Sequence, residues 1–204
     1  MNLSHLGTGR FGTFFTPNGT GLQDKLEAFI LLSEKMILKE ERSLRILGVD
    51  PGYGITGYSI IDYVGNKFKL INSGAITTPA HQSFPLRLSK IYTDMQNIIK
   101  EYNPDAISVE ELFFNNNIKT AINVAQARGI VLVVGCQNNV PTYEYTPLQV
   151  KQAVVGYGRA DKMQVQKMVK SILKVEKLPK LDDITDSMAI AICHAHSAKF
   201  AEKL

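Results

Sequence analysis

The spacing of hydrophobic residues changes several times along the chain, from short apolar runs to helical periodicity. Short runs of strand-forming residues predict five strands, at residues 44–49, 56–62, 68–77, 106–110 and 142–145. The first three runs are separated only by short turns, which predicts an antiparallel meander. Apolar residues at every third or fourth position predict helices at residues 85–102 and 118–138. We expect the second of these helices to be mostly buried and to offer a contact to a second subunit.

Capping signals locate the remaining helices. Thr146 followed by Pro147 is typical of a helix N-terminus. Asp161 with Gln164 three positions later resembles a capping box, which predicts a basic helix over residues 162–174. A last helix is predicted over residues 182–201. This order of elements predicts an α/β fold in which helices cover one mixed sheet.

Residues 1–43 follow a different pattern from the rest of the chain. The first 23 residues are rich in glycine, threonine and phenylalanine and contain no acidic residue. Between residues 22 and 39 the apolar positions have the spacing of one short amphipathic helix. We expect residues 1–43 to be an N-terminal extension without a catalytic role, and residues 44–204 to form the main folded domain. Met36 lies shortly before the first strand, so that translation could begin there.

Composition limits the class of protein. A chain of 204 residues, of which 45% are hydrophobic and 21% charged, can fold as one domain and is not a disordered protein. Cys136 and Cys193 are far apart, and the sequence has no Cys/His spacing typical of a zinc site. No apolar run reaches the roughly 18 residues of a membrane span, and the N-terminus lacks the features of a secretory signal. We therefore expect a cytoplasmic protein that does not bind membranes.

The net charge of +4 is unevenly distributed. Residues 151–180 contain eight lysines and arginines but only two acidic residues, so this segment carries +6 and the remainder of the chain −2. Such a concentration of positive charge is typical of a surface that binds a polyanion. It is also compatible with an ordinary solvated helix face.

Four carboxylates lie where an acidic side chain is unusual. Asp50 ends the first strand, where it could simply begin a turn. Glu110 ends a strand that we expect to be buried, and a carboxylate there needs solvent, an ion pair or a metal ion. Asp183 and Asp186 share one face at the start of the last helix. They could serve only the helix dipole, but Asp182 is the better candidate for the N-cap.

These carboxylates come together if the first and fourth strands are neighbours and the last helix crosses them. Clustered carboxylates repel one another unless cations neutralise them, and their hard oxygen atoms suit Mg²⁺ or Mn²⁺. Two such ions can activate a water molecule and stabilise the leaving oxygen in phosphodiester hydrolysis. The pattern therefore favours a metal-dependent nuclease whose basic segment binds a nucleic acid.

Five separated blocks of sequence carry a family resemblance. The blocks are RILGVDPG at residues 45–52, VEELF at 109–113, QARG at 126–129, QVKQAVVG at 149–156 and DITDSMAIA at 183–191. In order and spacing they resemble RuvC, the bacterial Holliday-junction resolvase family of the RNase H-like superfamily. The resemblance covers about residues 44–198. Residues 1–43 depart from it, because members of the family begin almost at the first strand.

The resemblance implies an RNase H-like fold, with a central mixed five-stranded sheet flanked by helices on both faces. It implies a homodimer that binds four-way junction DNA, works with the RuvA–RuvB branch-migration complex in recombination and repair, and nicks two symmetric strands. By the same resemblance, each nick would leave a 5′-phosphate and a 3′-hydroxyl. By position, Asp50, Glu110, Asp183 and Asp186 match the family's catalytic, metal-binding residues. Two Mg²⁺ ions are expected there, and Mn²⁺ is the expected substitute.

The resemblance also implies which residues bind DNA. Phe113 matches an aromatic residue that stacks on bases near the junction centre, although its position also suits a core phenylalanine. Lys151 and Lys162 match basic positions close to the scissile phosphate, and their alternative is a solvated helix face. Arg128 and Lys119 are further candidates for contacts to the DNA backbone.

Three alternatives stay open on the sequence alone. A related RNase H-like nuclease that acts on another structured nucleic acid would share the acidic residues but not the combination of Phe113 with the lysines. A non-catalytic junction-binding protein would not need all four acidic positions. An actin-like ATPase is suggested only by the glycine turn after Asp50, and the sequence lacks that family's second phosphate loop.

Overall fold

The computed structural model describes residues 43–112 and 118–201, and within them five strands form one sheet. The strands are β1 (Leu44–Asp50), β2 (Ile55–Val64), β3 (Lys67–Thr77), β4 (Ala106–Glu110) and β5 (Thr142–Tyr145). The helices of the same residues are α1 (Phe84–Tyr102), α2 (Ile118–Gln137), α3 (Pro147–Val155), α4 (Lys162–Leu173) and α5 (Asp182–Ala201). Residues 1–42, and with them the predicted N-terminal extension, lie outside the described residues, as does Phe113.

The sheet has the order β3-β2-β1-β4-β5. Strands β1, β2 and β3 form the antiparallel meander that the short turns predict, whereas β4 runs parallel to β1 and β5 parallel to β4. The predicted mixed five-stranded sheet is therefore confirmed. In the parallel pair Val49 lies opposite Val109, so the next residues, Asp50 and Glu110, end their strands at the same edge of the sheet.

Alternation along the strands builds a core on each face of the sheet, because successive side chains point to opposite sides. Ile46 packs with α3, α4 and α5, where Val154, Val169 and Met188 are buried. Leu47 and Val49 point the other way and pack with buried residues of α1 and α2. The helices thus cover both faces, as predicted.

Helix α5 lies unusually close to the sheet because the residues beneath it are small. A Cβ atom on Gly57 would overlap the carbonyl oxygen of Asp183, and one on Gly48 would overlap that of Ser187. On β4, opposite Gly48, the hydroxyl of Ser108 donates a hydrogen bond to the carbonyl of Ile190 at 3.1 Å. These contacts fix where the first turns of α5 stand above the sheet.

The local capping predictions are confirmed at two helices and differ at a third. Thr146 begins α3, and Asp161 begins α4, in capping boxes with Gln149 and Gln164 respectively. Asp182, in contrast, is the first residue of α5, and its carboxylate bonds to side chains of α4 instead of capping the helix.

Helix α2 is less buried than its composition suggests. Ala127, Val131 and Val134 are buried against the sheet, but Ile122 and Val133 are about half exposed. The expectation of a mostly buried helix is therefore wrong for the single chain, because α2 packs on the sheet through only one side.

Candidate active site

Three elements bring the four predicted carboxylates to one edge of the sheet. Asp50 and Glu110 end the neighbouring parallel strands β1 and β4. Gly57, which pairs with Asp50 across β1 and β2, touches the backbone of Asp183. Asp186 follows one turn later on α5. The close approach of α5 to Gly57 is thus what brings the helix carboxylates to the ends of the strands.

The electrostatics show that these carboxylates interact. Burial, followed by the negative charges of Glu110, Asp186 and Asp183, raises the pKa of Asp50 to about 7, while Lys162 acts in the opposite direction. Burial and Asp186 raise the pKa of Glu110. Burial is also the main reason for the raised pKa of Asp186. Such a cluster holds a proton near neutral pH unless a cation takes its place.

Lys162 supplies one positive charge to this cluster. Its Nζ lies 2.9 Å from Oδ2 of Asp182 and 3.3 Å from Oδ2 of Asp186. Partial burial lowers the pKa of Lys162, but its hydrogen bonds and the charges of both aspartates outweigh this effect and raise it. Gln166, one turn further along α4, donates a hydrogen bond to Oδ1 of Asp182 at 3.0 Å. Asp182 therefore links the beginnings of α4 and α5.

A cavity of about 240 Å³ opens beside the carboxylates. Glu110 and Asp186 line it together with Lys151 and Lys162, and apolar residues of α3, α4 and α5 form the rest of its wall. The positive charge of Lys151 lowers the pKa of Glu110, against the effect of burial. Both lysines that we predicted to bind DNA therefore lie around the same cavity as these acidic residues.

The donor chemistry fits a hard divalent cation, although the side chains are not arranged as a finished metal site. Carboxylate oxygens from three elements are the ligands that Mg²⁺ or Mn²⁺ prefers. Within residues 43–112 and 118–201, however, no three His, Cys, Asp or Glu side chains form a metal-binding group. Asp186 is already paired with Lys162. A cation at Asp186 would thus compete with this lysine, and a complete set of ligands would require rotation of carboxylates.

The remaining predicted DNA-binding residues are placed differently from one another. Phe113 lies outside the described residues, and Lys119 belongs to α2, where only its backbone is described. The guanidinium of Arg128 pairs with the carboxylate of Glu144, and its Nε donates to the carbonyl of Glu110 at 3.3 Å. DNA binding by these residues stays a prediction.

The sequence analysis missed two features next to the site. One is Glu144, and the other is the contact of Asp182 with α4. Glu144 lies on β5, opposite Val109, the residue before Glu110 on β4. The sequence pointed to it only through the presence of an acidic residue inside the four-residue strand β5. The signal for Asp182 was a third aspartate next to the pair already chosen. In both cases the partner is distant in sequence and becomes visible only in the fold.

Comparison with known proteins gives matches over most of the chain. A family model, crossover junction endodeoxyribonuclease RuvC, matches residues 46–194. The chain is 58% identical over 159 residues to the protein of that name from Clostridioides difficile (strain 630), which covers 78% of this chain and 94% of the relative. Its counterpart from Alkaliphilus oremlandii (strain OhILAs) is 56% identical over 157 residues, or 77% of this chain and 96% of the relative.

A solved structure agrees with these sequence matches. T. thermophilus RuvC in complex with a Holliday junction substrate superposes with a TM-score of 0.74 and is 32% identical, over 78% of this chain and 96% of that chain. The matched residues 46–194 include Asp50 at the end of β1, Glu110 at the end of β4, and Asp183 and Asp186 in the first turns of α5. On this evidence, the chain belongs to the crossover junction endodeoxyribonuclease RuvC family.

Proposed function

We propose that this protein resolves four-way DNA junctions by paired, metal-dependent nicking of two symmetric strands. The observation that carries the proposal is the convergence of Asp50, Glu110, Asp183 and Asp186 at one sheet edge, in a chain of the RuvC family. The junction as substrate is supported by the T. thermophilus relative, which is described in complex with one.

The four carboxylates would hold the metal, for which we propose two Mg²⁺ ions, with Mn²⁺ as a substitute. Bound there, the ions would activate water and stabilise charge on the phosphate and on the leaving oxygen. Burial raises the pKa of Asp50 and of Glu110. Carboxylates that hold protons in the absence of metal can release them when a cation binds, so this raised pKa is compatible with a metal-binding role.

The lysines of the cavity are suited to hold the scissile strand. Lys151 and Lys162 line the same cavity as Glu110 and Asp186, so a phosphate that enters it would meet positive charge next to the acidic residues. The basic segment 151–180 would extend this contact along the DNA backbone. Phe113, three residues after Glu110, would stack on an unpaired base at the crossover, and Lys119 would contact the backbone.

We further propose that the protein acts as a homodimer through α2. Ile122 and Val133 are three turns apart on this helix, and both are about half exposed in the single chain. A second copy that covers them would bury apolar surface, and two active sites match two symmetric cuts.

Cooperation with a RuvA–RuvB complex and a cytoplasmic location are proposed from the family alone. No helix among the described residues is long and apolar enough to cross a membrane.

A nicking assay tests the proposed function. A four-way junction, a linear duplex and an RNA–DNA hybrid are each incubated with the protein, with Mg²⁺ or with a chelator. We expect symmetric nicks in the junction alone, and only with metal. Preferred cleavage of the hybrid would indicate a related nuclease with another substrate, and tight junction binding without any cleavage would indicate a non-catalytic binding protein.

A further inference from the structure

Arg128 connects three elements next to Glu110. From α2 its Nε donates a hydrogen bond to the carbonyl oxygen of Glu110 on β4, at 3.3 Å. Its terminal nitrogen pairs with the carboxylate of Glu144 on β5. The Arg128 side chain is only 16% exposed, whereas that of Glu144 is 39% exposed. The guanidinium therefore lies largely inside the protein, with two of its donors in use.

The carbonyl of Glu110 belongs to the last residue of β4, where the regular strand ends. Beyond it, the amide of Glu111 donates to the carbonyl of Tyr145 at 2.8 Å. Rotation about the Cα–C bond of Glu110 turns this carbonyl relative to the Cα–Cβ bond, so the direction of the carbonyl and that of the side chain are coupled. A donor that holds this carbonyl therefore helps to set the direction of the Glu110 side chain.

We propose that Arg128 is a positioning residue for Glu110, and that Glu144 holds the guanidinium of Arg128 in place. The planar guanidinium can serve both partners at once, since its donors form a rigid fork. The inference rests on the proposed role of Glu110 in binding metal. It differs from the expectation that Arg128 contacts DNA, because a side chain that is only 16% exposed and already bonded to a carbonyl and a carboxylate is poorly placed to meet a phosphate.

A positioning role of Arg128 and a contact of Arg128 with phosphate predict different effects of substitutions on cleavage rate and on junction affinity. If Arg128 positions Glu110, then Arg128→Gln and Glu144→Gln both disturb the same strand end. Both should slow single-turnover cleavage of a saturating junction by about 10-fold or more, the usual effect of losing a residue that supports a metal ligand. The junction dissociation constant, measured with Ca²⁺, should stay unchanged in both variants.

A phosphate contact predicts a different outcome. Arg128→Gln would then weaken junction binding. It would also reduce the slope of the logarithm of the binding constant against the logarithm of the salt concentration by roughly 0.9, as expected for one lost phosphate contact. Glu144→Gln would tighten binding, because it removes a negative charge close to the DNA. Opposite effects of the two substitutions on junction affinity would overturn the proposal. Wild-type cleavage by Arg128→Lys would also overturn it, since an ammonium group lacks the fork.

Calorimetric titration of Mn²⁺ without DNA separates this proposal from the proposed function. Arg128→Gln and Glu144→Gln should weaken Mn²⁺ binding, but in a Glu110→Gln background they should have no further effect, because the coupling runs through Glu110. An equal loss in both backgrounds would overturn the proposal. If the unmodified protein cuts no junction at all, the proposed function fails, whereas the Mn²⁺ titrations still test the positioning role. Thermal unfolding of each variant identifies any that do not fold, and Glu144, which is more exposed, provides the milder substitution.

Discussion

The Nζ of Lys162 lies 3.3 Å from Oδ2 of Asp186, so a proposed DNA-binding residue is already paired with a proposed metal ligand. The same ammonium lies 2.9 Å from Asp182, which the sequence suggested to be only a helix cap. A cation that binds Asp186 would therefore compete with this lysine. Asp182 offers it a second partner outside the group of proposed ligands.

Substitution of Asp182 by asparagine should change the metal requirement more than the maximal rate. Without the carboxylate, Lys162 pairs with Asp186 alone and competes more strongly with the cation. We expect Asp182→Asn to fold normally and to cut junctions, with the half-maximal Mg²⁺ concentration shifted upward by a few-fold, a modest effect that is typical of exposed ion pairs. Nicking rates across a Mg²⁺ series measure this shift.

Asp161→Asn is the matched control for that series. Asparagine also caps helices, so this variant removes one nearby negative charge and preserves the start of α4. It should leave the Mg²⁺ requirement unchanged. If Asp182→Asn is inactive while Asp186→Asn still cuts, the wrong aspartates have been assigned as ligands.

Neutralising a proposed ligand should separate cutting from binding. Asp50→Asn or Asp186→Asn keeps the side-chain volume but removes a charge that the cation needs, so hydrolysis should fall by several orders of magnitude. Junction affinity should not fall, because basic residues outside the cluster provide most of it. Gel-shift and nicking assays on the same preparations measure both quantities, and a parallel loss of binding would argue against the assignment.

Phe113 should matter for opening the junction and not for the chemistry. Stacking on an unpaired base contributes about 1–3 kcal/mol, which Phe113→Leu would remove while keeping an apolar side chain. Cleavage of an intact junction should slow, whereas a junction with bases already unpaired at the crossover should be cut at nearly the normal rate. An equal loss on both substrates would place Phe113 in the hydrophobic core instead.

His194 should make the protein less stable in mild acid. The side chain is 3% exposed, accepts or donates a 2.7 Å hydrogen bond with the hydroxyl of Tyr145, and packs against the ring of Tyr143. Burial lowers the pKa of His194 to about 4, from an ordinary value of 6.5. Between these values the unfolded chain binds a proton that the folded chain does not, so stability falls as the pH drops from about 6.5 towards 4.

This loss amounts to at most about 3 kcal/mol in the free energy of unfolding. His194→Gln cannot titrate and keeps a polar group for Tyr145. Urea unfolding at pH 7.5 and pH 5 should therefore show a smaller difference for the variant than for the unmodified protein. Equal differences would mean that His194 is already charged in the folded state or that it is not buried in solution.

Much of the fold could be predicted because its signals are local. The Asp161–Gln164 capping box defines a helix start by contacts three residues apart, and β4 has the predicted bounds. The proximity of Asp50 and Glu110 followed from one assumption about neighbouring strands, which the pairing of β1 with β4 confirms. The grouping of the four carboxylates was therefore within reach of the sequence.

What the sequence could not supply were contacts between elements that are distant along the chain. The pairing of Arg128 with Glu144 depends on β5 lying beside β4 and on the rotation of α2. The contact of Asp182 with Lys162 depends on how α4 and α5 meet. For α2, an apolar composition indicated burial, but which side would be covered depends on packing and on any second subunit.

The close approach of α5 to the sheet also determines which mutations the edge with the four carboxylates can tolerate. Gly48 and Gly57 bring backbone against backbone, so no layer of side chains lies between the helix and the strands at these points. Core substitutions elsewhere can repack and cost stability while the spacing between the two pairs of carboxylates stays the same. A single added methyl group at Gly57, in contrast, would overlap the backbone of Asp183 and push the two pairs apart. In this architecture, two glycines set the distance between the carboxylates of the helix and those of the strands.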